Sequence, residues 1–250
     1  MADIEYFYPE VKVNMNGFSL DKGISIEVVS SKNTVYDYAK IMFTKEILDK
    51  INVKKGDDCE ILFGYSGNLE SIFKGSVVKD LNDSSDKCSI QLKDDMLKFE
   101  RTIITDTYMN AAPQEIIGNV CMKAGIQDLS LSTQTYVSKT ISFRSMNGIK
   151  LIQYINSLWS LKHKFYMQAG CFYWGVSSKQ KEIAVFSYGS NILSMKRISG
   201  SWEMQTVSVP FLKHSTLIRV DHPLVSGDYE ISKIIFRVNE QGFVRSLIQF

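Results

Sequence analysis

Proline is scarce, with 4 in 250 residues, so no proline-rich linker separates parts of the chain. The 4 cysteines, Cys59, Cys88, Cys121 and Cys171, are scattered. Without a C-x-x-C pair they offer neither zinc-ribbon nor dithiol redox chemistry. Cys88 and Cys121 fall on apolar faces and read as buried free thiols, as expected for a protein made in a reducing cytoplasm. No apolar run approaches the length of a membrane span. The N-terminus, Met1-Ala2-Asp3-Ile4-Glu5, is acidic and lacks the apolar core of a secretory signal. No G-x-S-x-G elbow is present, and Gly64-x-x-Gly67 is a turn fragment rather than a phosphate-binding loop. The 3 histidines, His163, His214 and His222, never occur at the four-residue spacing that puts two metal ligands on one helix face. The expectation is therefore no enzyme, with no catalytic residue, no cofactor-binding residue and no metal site.

What is present favours β structure. Hydrophobic residues make up 44% and charged residues 22%, enough to bury a real core. Aromatics reach 12%, which suits strands and protein interfaces. The net charge of +2 hides an uneven distribution. Residues 1–125 carry 15 Lys/Arg against 20 Asp/Glu, a balance of −5; residues 126–250 carry 14 against 7, a balance of +7. Halves of opposite sign can attract each other between subunits or face different partners.

One hairpin pattern occurs twice. Val77-Val78-Lys79-Asp80-Leu81-Asn82 turns through Asp86 into Cys88-Ser89-Ile90-Gln91-Leu92. Near the end, Ile234-Ile235-Phe236-Arg237-Val238-Asn239 turns through Gly242 into Ser246-Leu247-Ile248-Gln249-Phe250. Each is a strand, an Asn-led turn and a second strand closing on Gln plus an apolar residue.

Elsewhere in the first 100 residues, Val11/Val13/Met15, Ile24/Ile26/Val28, Ala39/Ile41/Phe43 and Ile61/Phe63/Tyr65 alternate as half-buried strands do. Asn16-Gly17 and Ser66-Gly67-Asn68 are turns, and Lys45–Ile51 is a short helix. The period then changes. Pro113 opens a helix with Ile116, Ile117, Val120, Cys121 and Ala124 on one face, and Gly125 stops it. A second helix starts near Gly148, with Ile149, Ile152, Ile155, Leu158 and Trp159 together. From Lys164 strands return, at Phe165–Met167, Cys171–Trp174, Ile183–Ser187, Leu217–Val220 and the closing hairpin. The expected fold is mainly β with a smaller α-rich segment, an α+β chain in which two related β-barrel domains, 1–101 and 164–250, flank a helical domain, 102–163. The closing strand, with apolar residues on both faces and Phe250 at its end, is expected to be integral to the second barrel.

At Leu217-Ile218-Arg219-Val220-Asp221-His222-Pro223-Leu224-Val225-Ser226-Gly227-Asp228-Tyr229-Glu230-Ile231 the chain resembles the end of phage tail hub proteins, the late control protein D group. Tyr36–Thr44, the short helix, Lys55-Gly56-Asp57 and Gly64-Tyr65 follow that family's first barrel. Ala112–Ile117 through Lys123–Ile126 looks like its central helical segment. The resemblance implies a homotrimer whose six barrels form a pseudo-sixfold ring joining the tail tube to the central spike. It also implies tube or tube-initiator, spike, tape-measure and other baseplate proteins as partners. The chain would be made in the bacterial cytoplasm and assembled into a virion tail, a bacteriocin or another contractile phage-tail-like particle.

Against a structural role stand a few residues with chemical potential. Adjacent acids at Asp57-Asp58 and Asp94-Asp95 read as solvated turns, since neighbouring carboxylates point apart and cannot flank a bond as a glycosidase pair must. His163 lies between Lys162 and Lys164, His214 follows Lys213 in a loop-like stretch, and His222 precedes Pro223 at a turn. Lys162-His163-Lys164 and Lys179-Gln180-Lys181, near Phe165, Tyr173 and Trp174, could serve a stand-alone nucleic-acid- or carbohydrate-binding protein. That is the alternative function.

Overall fold

The structure, a computed structural model, describes residues 8–48, 50–79, 87–168, 170–178, 180 and 182–250. It is mainly β. The chain packs as two units: residues 1–94 with 179–250, and residues 95–178.

The first unit opens with β1 (Pro9–Met15), β2 (Phe18–Leu20), β3 (Ile24–Ser31) and β4 (Tyr38–Thr44). A single turn of helix, α1 (Lys45–Leu48), precedes β5 (Asp58–Tyr65), β6 (Asn68–Lys79) and β7 (Lys87–Asp94). The second unit holds α2 (Met96–Arg101), β8 (Ile103–Ile104), β9 (Thr107–Ala111), α3 (Pro113–Lys123), β10 (Leu129–Leu131), β11 (Lys139–Ser142), β12 (Met146–Asn147), α4 (Gly148–Leu158), β13 (Phe165–Gln168) and β14 (Cys171–Trp174). The chain then returns to the first unit with β15 (Ala184–Ser187), β16 (Ile192–Ile198), β17 (Ser201–Thr206), β18 (Leu217–His222), β19 (Val225–Glu230), β20 (Lys233–Val238) and β21 (Val244–Gln249).

Within the first unit, 11 strands form one antiparallel sheet in the order β16-β17-β21-β20-β3-β4-β7-β6-β5-β1-β2. The expected closed barrels are corrected here to one open sheet. Sequence alternation reveals hairpins but not which hairpin lies beside which. The pairing of β20 with β3, Ile234 opposite Ser30, joins residues about 200 positions apart and fuses what read as separate barrels. Asn16-Gly17, Ser66-Gly67 and Ser199-Gly200 supply positive φ at both turn positions, as two-residue hairpins with the strands' own twist require.

The sheet's inner face is apolar. Val13, Ile26, Ile41, Ile61, Ile90 and Ile248 are each no more than 2% exposed and belong to one core. A second layer covers that core: β15-β18-β19, with Phe186, Ile218 and Val220 facing in, and the connection after β17 with Val209 and Leu212. Two sheets of alternating pattern thus bury one face each.

The repeated hairpins sit alike in the sheet. β21 then β20, and β7 then β6, are met in the same order across it, later strand first. Ile90 and Ile248 both face the core, while Gln91 and Gln249 face the other side. Val77 and Ile234 are likewise both fully buried. The turn 80–86 of the first hairpin lies outside the described residues. The closing strand β21 is interior, flanked by β17 and β20, with Val244 and Ile248 buried. Ser246 lies between them, fully buried, and its hydroxyl donates to Ser208 Oγ at 2.8 Å. Phe243 is exposed and precedes the strand.

In the second unit α3 and α4 end as their sequences announce. Glu115 accepts from the Ala112 N–H at 2.7 Å, and Asn147 Oδ1 accepts from Lys150 N–H at 2.9 Å. Beyond α3, Gly125 takes φ +73°, and the Ile126 and Gly125 N–H groups reach the Cys121 and Met122 carbonyls at 2.9 and 3.0 Å. Packed under the helices are Phe99 and Phe172, rings 4.9 Å apart, with Ile116, Ile152 and Trp174 fully buried. Helix α2 is not legible in the sequence: it is six residues long and Asp95 gives it no side-chain cap.

Candidate assembly surface

An open sheet leaves backbone donors and acceptors at its edges, here β16 and β2. The β16 edge is also apolar: Leu193 is 49% and Ile198 41% exposed. Beside it, Tyr188 bridges to Ile192, and Ile183, Val185 and Tyr188 are exposed on the neighbouring small sheet. Among the described residues, strand β15 is itself an edge, pairing in parallel with β18. An apolar patch beside two strand edges that no described strand pairs is a surface suited to strand addition from another chain. Sequence reading missed β16 because Leu193-Ser194-Met195-Lys196-Arg197-Ile198 does not alternate. The informative signal was the apolar pair it leaves outside.

A polar seam lies in the first unit at the ends of the central strands β3, β4 and β7. Asp37 Oδ1 accepts from the Ser31 N–H at 3.1 Å, and Asp94 Oδ2 accepts from the Asp37 N–H at 3.1 Å. The Asp94 N–H donates back to the Asp37 carbonyl at 3.0 Å. His214, 4% exposed, donates its N–H to Ser30 Oγ at 3.3 Å and sets Nε2 4.0 Å from Asp37 Oδ1. Burial raises the Asp37 carboxyl above its ordinary value, opposed by His214, Ser30 and Lys213. Burial lowers the Lys213 ammonium, opposed by Asp37 and Asp94. The seam ties the loop after β3, the end of β7 and the segment before β18.

The acids and histidines singled out in the sequence therefore part company. Asp94 is buried in the seam, which corrects the solvated-turn reading. Its hydrogen-bond partner Asp37 lies 57 positions away in sequence and its charged neighbour Lys213 farther still, where local composition gives no hint. Asp95 pairs with Lys98 at 3.0 Å. Asp57 accepts from the Lys54 N–H at 2.8 Å and Asn16 Nδ2 at 3.2 Å, and Asp58 from Ser76 Oγ at 3.0 Å, as turn and strand-end acids do. His214 lies in a loop, as expected, and is buried in the seam. His222 holds its turn, with Nδ1 accepting from the Leu224 N–H at 3.1 Å. His163 is half-buried, bonded to Tyr136 Oη and edge-on to Trp174 at 4.6 Å, despite its lysine neighbours. Among the described residues no three His, Cys, Asp or Glu side chains are grouped to hold a metal. No described helix is long and apolar enough to cross a membrane.

Among the described residues, the aromatics weighed for the alternative, a base-stacking platform, are engaged inside the second unit. Trp174 is fully buried and donates to Asn156 Oδ1 at 2.9 Å. Tyr173 stacks on Tyr166, rings 5.2 Å apart, and burial pushes its hydroxyl up to about 12. Lys179 and Lys181 lie outside the described residues. Cys59 and Cys121 are buried, each thiol pushed up to about 12 by burial. Cys171 is half-buried, and the Cys88 side chain lies outside the described residues. A cleft of about 740 Å³ between β1–β2 and the β20–β21 loop is lined by Glu10, Lys12, Asp21, Lys22, Asn239 and Glu240, among others. With both charge signs on its walls, it selects no ligand class.

No family model matches the chain, and no curated protein matches it in sequence. The fold has solved counterparts. The 43 kDa tail protein of prophage MuSo2 from Shewanella oneidensis superposes with a TM-score of 0.74 at 12% identity, covering 97% of each chain. A tail protein from Neisseria meningitidis MC58 gives 0.75 at 10% identity, over 97% of this chain and 96% of that one. The E. coli c3393 protein, a component of the type VI secretion system with structural similarity to the T4 bacteriophage tail proteins gp27 and gp5, gives 0.69 at 14% identity, over 95% and 76%. The chain has the fold of phage tail proteins.

Proposed function

We propose that this chain, with the tail-protein fold as premise, is a structural hub of a phage tail or phage-tail-like baseplate. Three copies would form a pseudo-sixfold ring between a tail tube and a central spike. Tube or tube-initiator, spike, tape-measure and other baseplate proteins are its proposed partners. It is made in the bacterial cytoplasm and works in the assembled particle, making no bonds.

One observation carries this reading. Across the large sheet, β21-β20-β3-β4 and β7-β6-β5-β1 are two successive four-stranded blocks with the same alternation of strand direction. Each begins with one copy of the repeated hairpin. Two like-oriented blocks per chain give six per trimer, which suits a molecule that must meet sixfold symmetry on one side and threefold on the other. The open edge at β16 and its apolar neighbours supply the heterologous contact that a ring requires. The proposed domains are β at 1–101 and 164–250 and helical at 102–163; the block β21-β20-β3-β4 takes two strands from each β domain, and β7-β6-β5-β1 lies wholly in the first.

Locating the chain in an assembled particle tests the reading. Three copies around the axis are expected; six copies, or one, overturn it. A paired substitution, Leu193→Lys with Ile198→Lys, should leave the free chain folded and abolish its incorporation. Cell-wall or peptide hydrolysis by the purified chain would contradict the non-enzymatic role.

A further inference from the structure

The face of the large sheet turned from the core carries an unbalanced row of charge. Cross-strand pairing sets Arg245 of β21 opposite Arg237 of β20, and Arg237 opposite Glu27 of β3. Glu27 in turn lies opposite Lys40 of β4, and Lys40 opposite Gln91 of β7. Neighbours in such a row stand about 5 Å apart. Their flanking residues, Val244, Phe236, Ile26, Ile41 and Ile90, face the core, so the row lies on one surface.

Like charges directly opposite are destabilising. Here two arginines face each other, and Arg237 Nε reaches Glu27 Oε2 at 2.8 Å. Glu27 thus stands between Arg237 and Lys40, one carboxylate within the row against three cations; Glu203 on the same face also feels Arg237 but is held by Lys196 at 2.8 Å. Among the described residues, neither Arg245 nor Lys40 has an ion-pair partner. Arg237, Arg245 and Gln91 are exposed, while Lys40 and Glu27 are half-exposed. Beside the row, Ser25 and Ser89 add hydroxyl donors in line with Met42.

We propose that this row binds the sugar–phosphate backbone of a nucleic acid. A string of cations and neutral donors at strand spacing meets a string of phosphates, and arginine forks match phosphate oxygens in pairs. An acidic protein segment would also bring apolar side chains, and the row presents them charged and polar side chains instead. Sequence discrimination is not expected, because contacts to phosphate carry none. The inference concerns the free chain and does not depend on the ring.

The test titrates fluorescein-labelled duplex and single-stranded oligonucleotides of mixed sequence with the purified full chain. Binding should weaken linearly with log salt, with a slope of about −2 to −3 on duplex, as roughly three neutralised phosphates give. Arg245→Gln with Lys40→Gln should cut affinity about tenfold at low salt and bring the slope roughly 2 closer to zero. Its circular dichroism and Tm should stay unchanged; if it fails to fold, Arg245→Gln alone is measured. Lys162→Gln with Lys164→Gln, in the second unit, should bind as the parent does. Absence of salt-sensitive binding, equal affinity of the Arg245/Lys40 variant, or loss of binding in the Lys162/Lys164 variant overturns the proposal. So does polyglutamate competing better than DNA, which would assign the row to an acidic protein. Copy number in the particle is unaffected by any of these results, so the hub reading stands or falls separately.

Discussion

The two units are held together by different means. In the first, the central contacts join distant parts of the chain: β3 pairs β20, and His214 donates to Ser30 across 184 positions. In the second, much of the order is local. Helices α3 and α4 carry their own starts and stops within a turn of each end. Non-local pairings must close long loops before they contribute, so the first unit should fold later and more cooperatively than the second. Damage at one distant strand should therefore cost far more than loss of a local signal.

The largest effect expected is from deleting residues 244–250. Two fully buried apolar side chains, Val244 and Ile248, contribute about 3–6 kcal/mol together. Removal also leaves β17 and β20 without the strand between them, an exposed double edge. Against a typical total of roughly 5–15 kcal/mol, the first unit should not survive. Insolubility, or loss of the thermal transition while the second unit's helical signal remains, is the expected outcome. A soluble protein with an unchanged transition would erase the contrast between the units.

Next comes the seam. Asp37→Ala removes the acceptor of the Ser31 N–H and leaves Lys213 with less compensation. Leaving a buried donor such as the Ser31 N–H without its acceptor costs about 1–3 kcal/mol. Urea unfolding at neutral pH should show a lower midpoint with an unchanged slope. In the parent, the raised Asp37 value makes its own contribution greatest below the unfolded value of 3.8 and lost as pH rises through the folded one. In Asp37→Ala that component disappears, so an unchanged pH profile would remove Asp37 from the account.

Smaller again is the acid response of Glu203. Lys196, at 2.8 Å, lowers its carboxyl below the ordinary 4.5, and Gln249 Nε2 adds a bond at 3.0 Å. A lowered value stabilises above the unfolded value, and the benefit is lost as pH falls through the folded one. Because Lys196 is largely exposed, the pair is worth roughly 1 kcal/mol. Glu203→Gln should narrow the stability difference between pH 7 and pH 3. An unaltered difference would show that acid sensitivity lies elsewhere.

Legibility in the sequence follows the same division. Pro113, Gly125 and the 3.6-residue spacing disclosed α3 and α4, because their signals lie within the element. Asn16-Gly17 and the repeated hairpins were equally readable. What stayed hidden depends on distant partners: the fusion of β20 with β3, the burial of Asp94 beside Lys213, and the enclosure of Trp174 and His163 among Tyr136 and Asn156. The β16 edge was hidden for another reason. Its apolar residues serve a surface rather than the core, so no period marks them.

The smallest effect tests the local side directly. Helix α4 ends with Ser160 at φ +55°, the Leu161 N–H reaching the Asn156 carbonyl at 2.7 Å and the Ser160 N–H the Ser157 carbonyl at 3.0 Å. This is the stop that Gly125 supplies after α3, here made by a residue with a Cβ. Left-handed backbone costs an L-residue about 1–2 kcal/mol, whereas glycine adopts it freely. Glycine also gains freedom in the unfolded chain, which offsets about 0.4–1 kcal/mol. Ser160 is exposed and makes no described side-chain hydrogen bond, so Ser160→Gly should stabilise the second unit by roughly 0.5–1 kcal/mol. Hydrogen exchange of the α4 amides should slow by about two- to fivefold, while those of β3 and β20 stay unchanged. Equal slowing in both places would mean that the two units unfold as one, and that the contrast between local and distant order has no energetic counterpart.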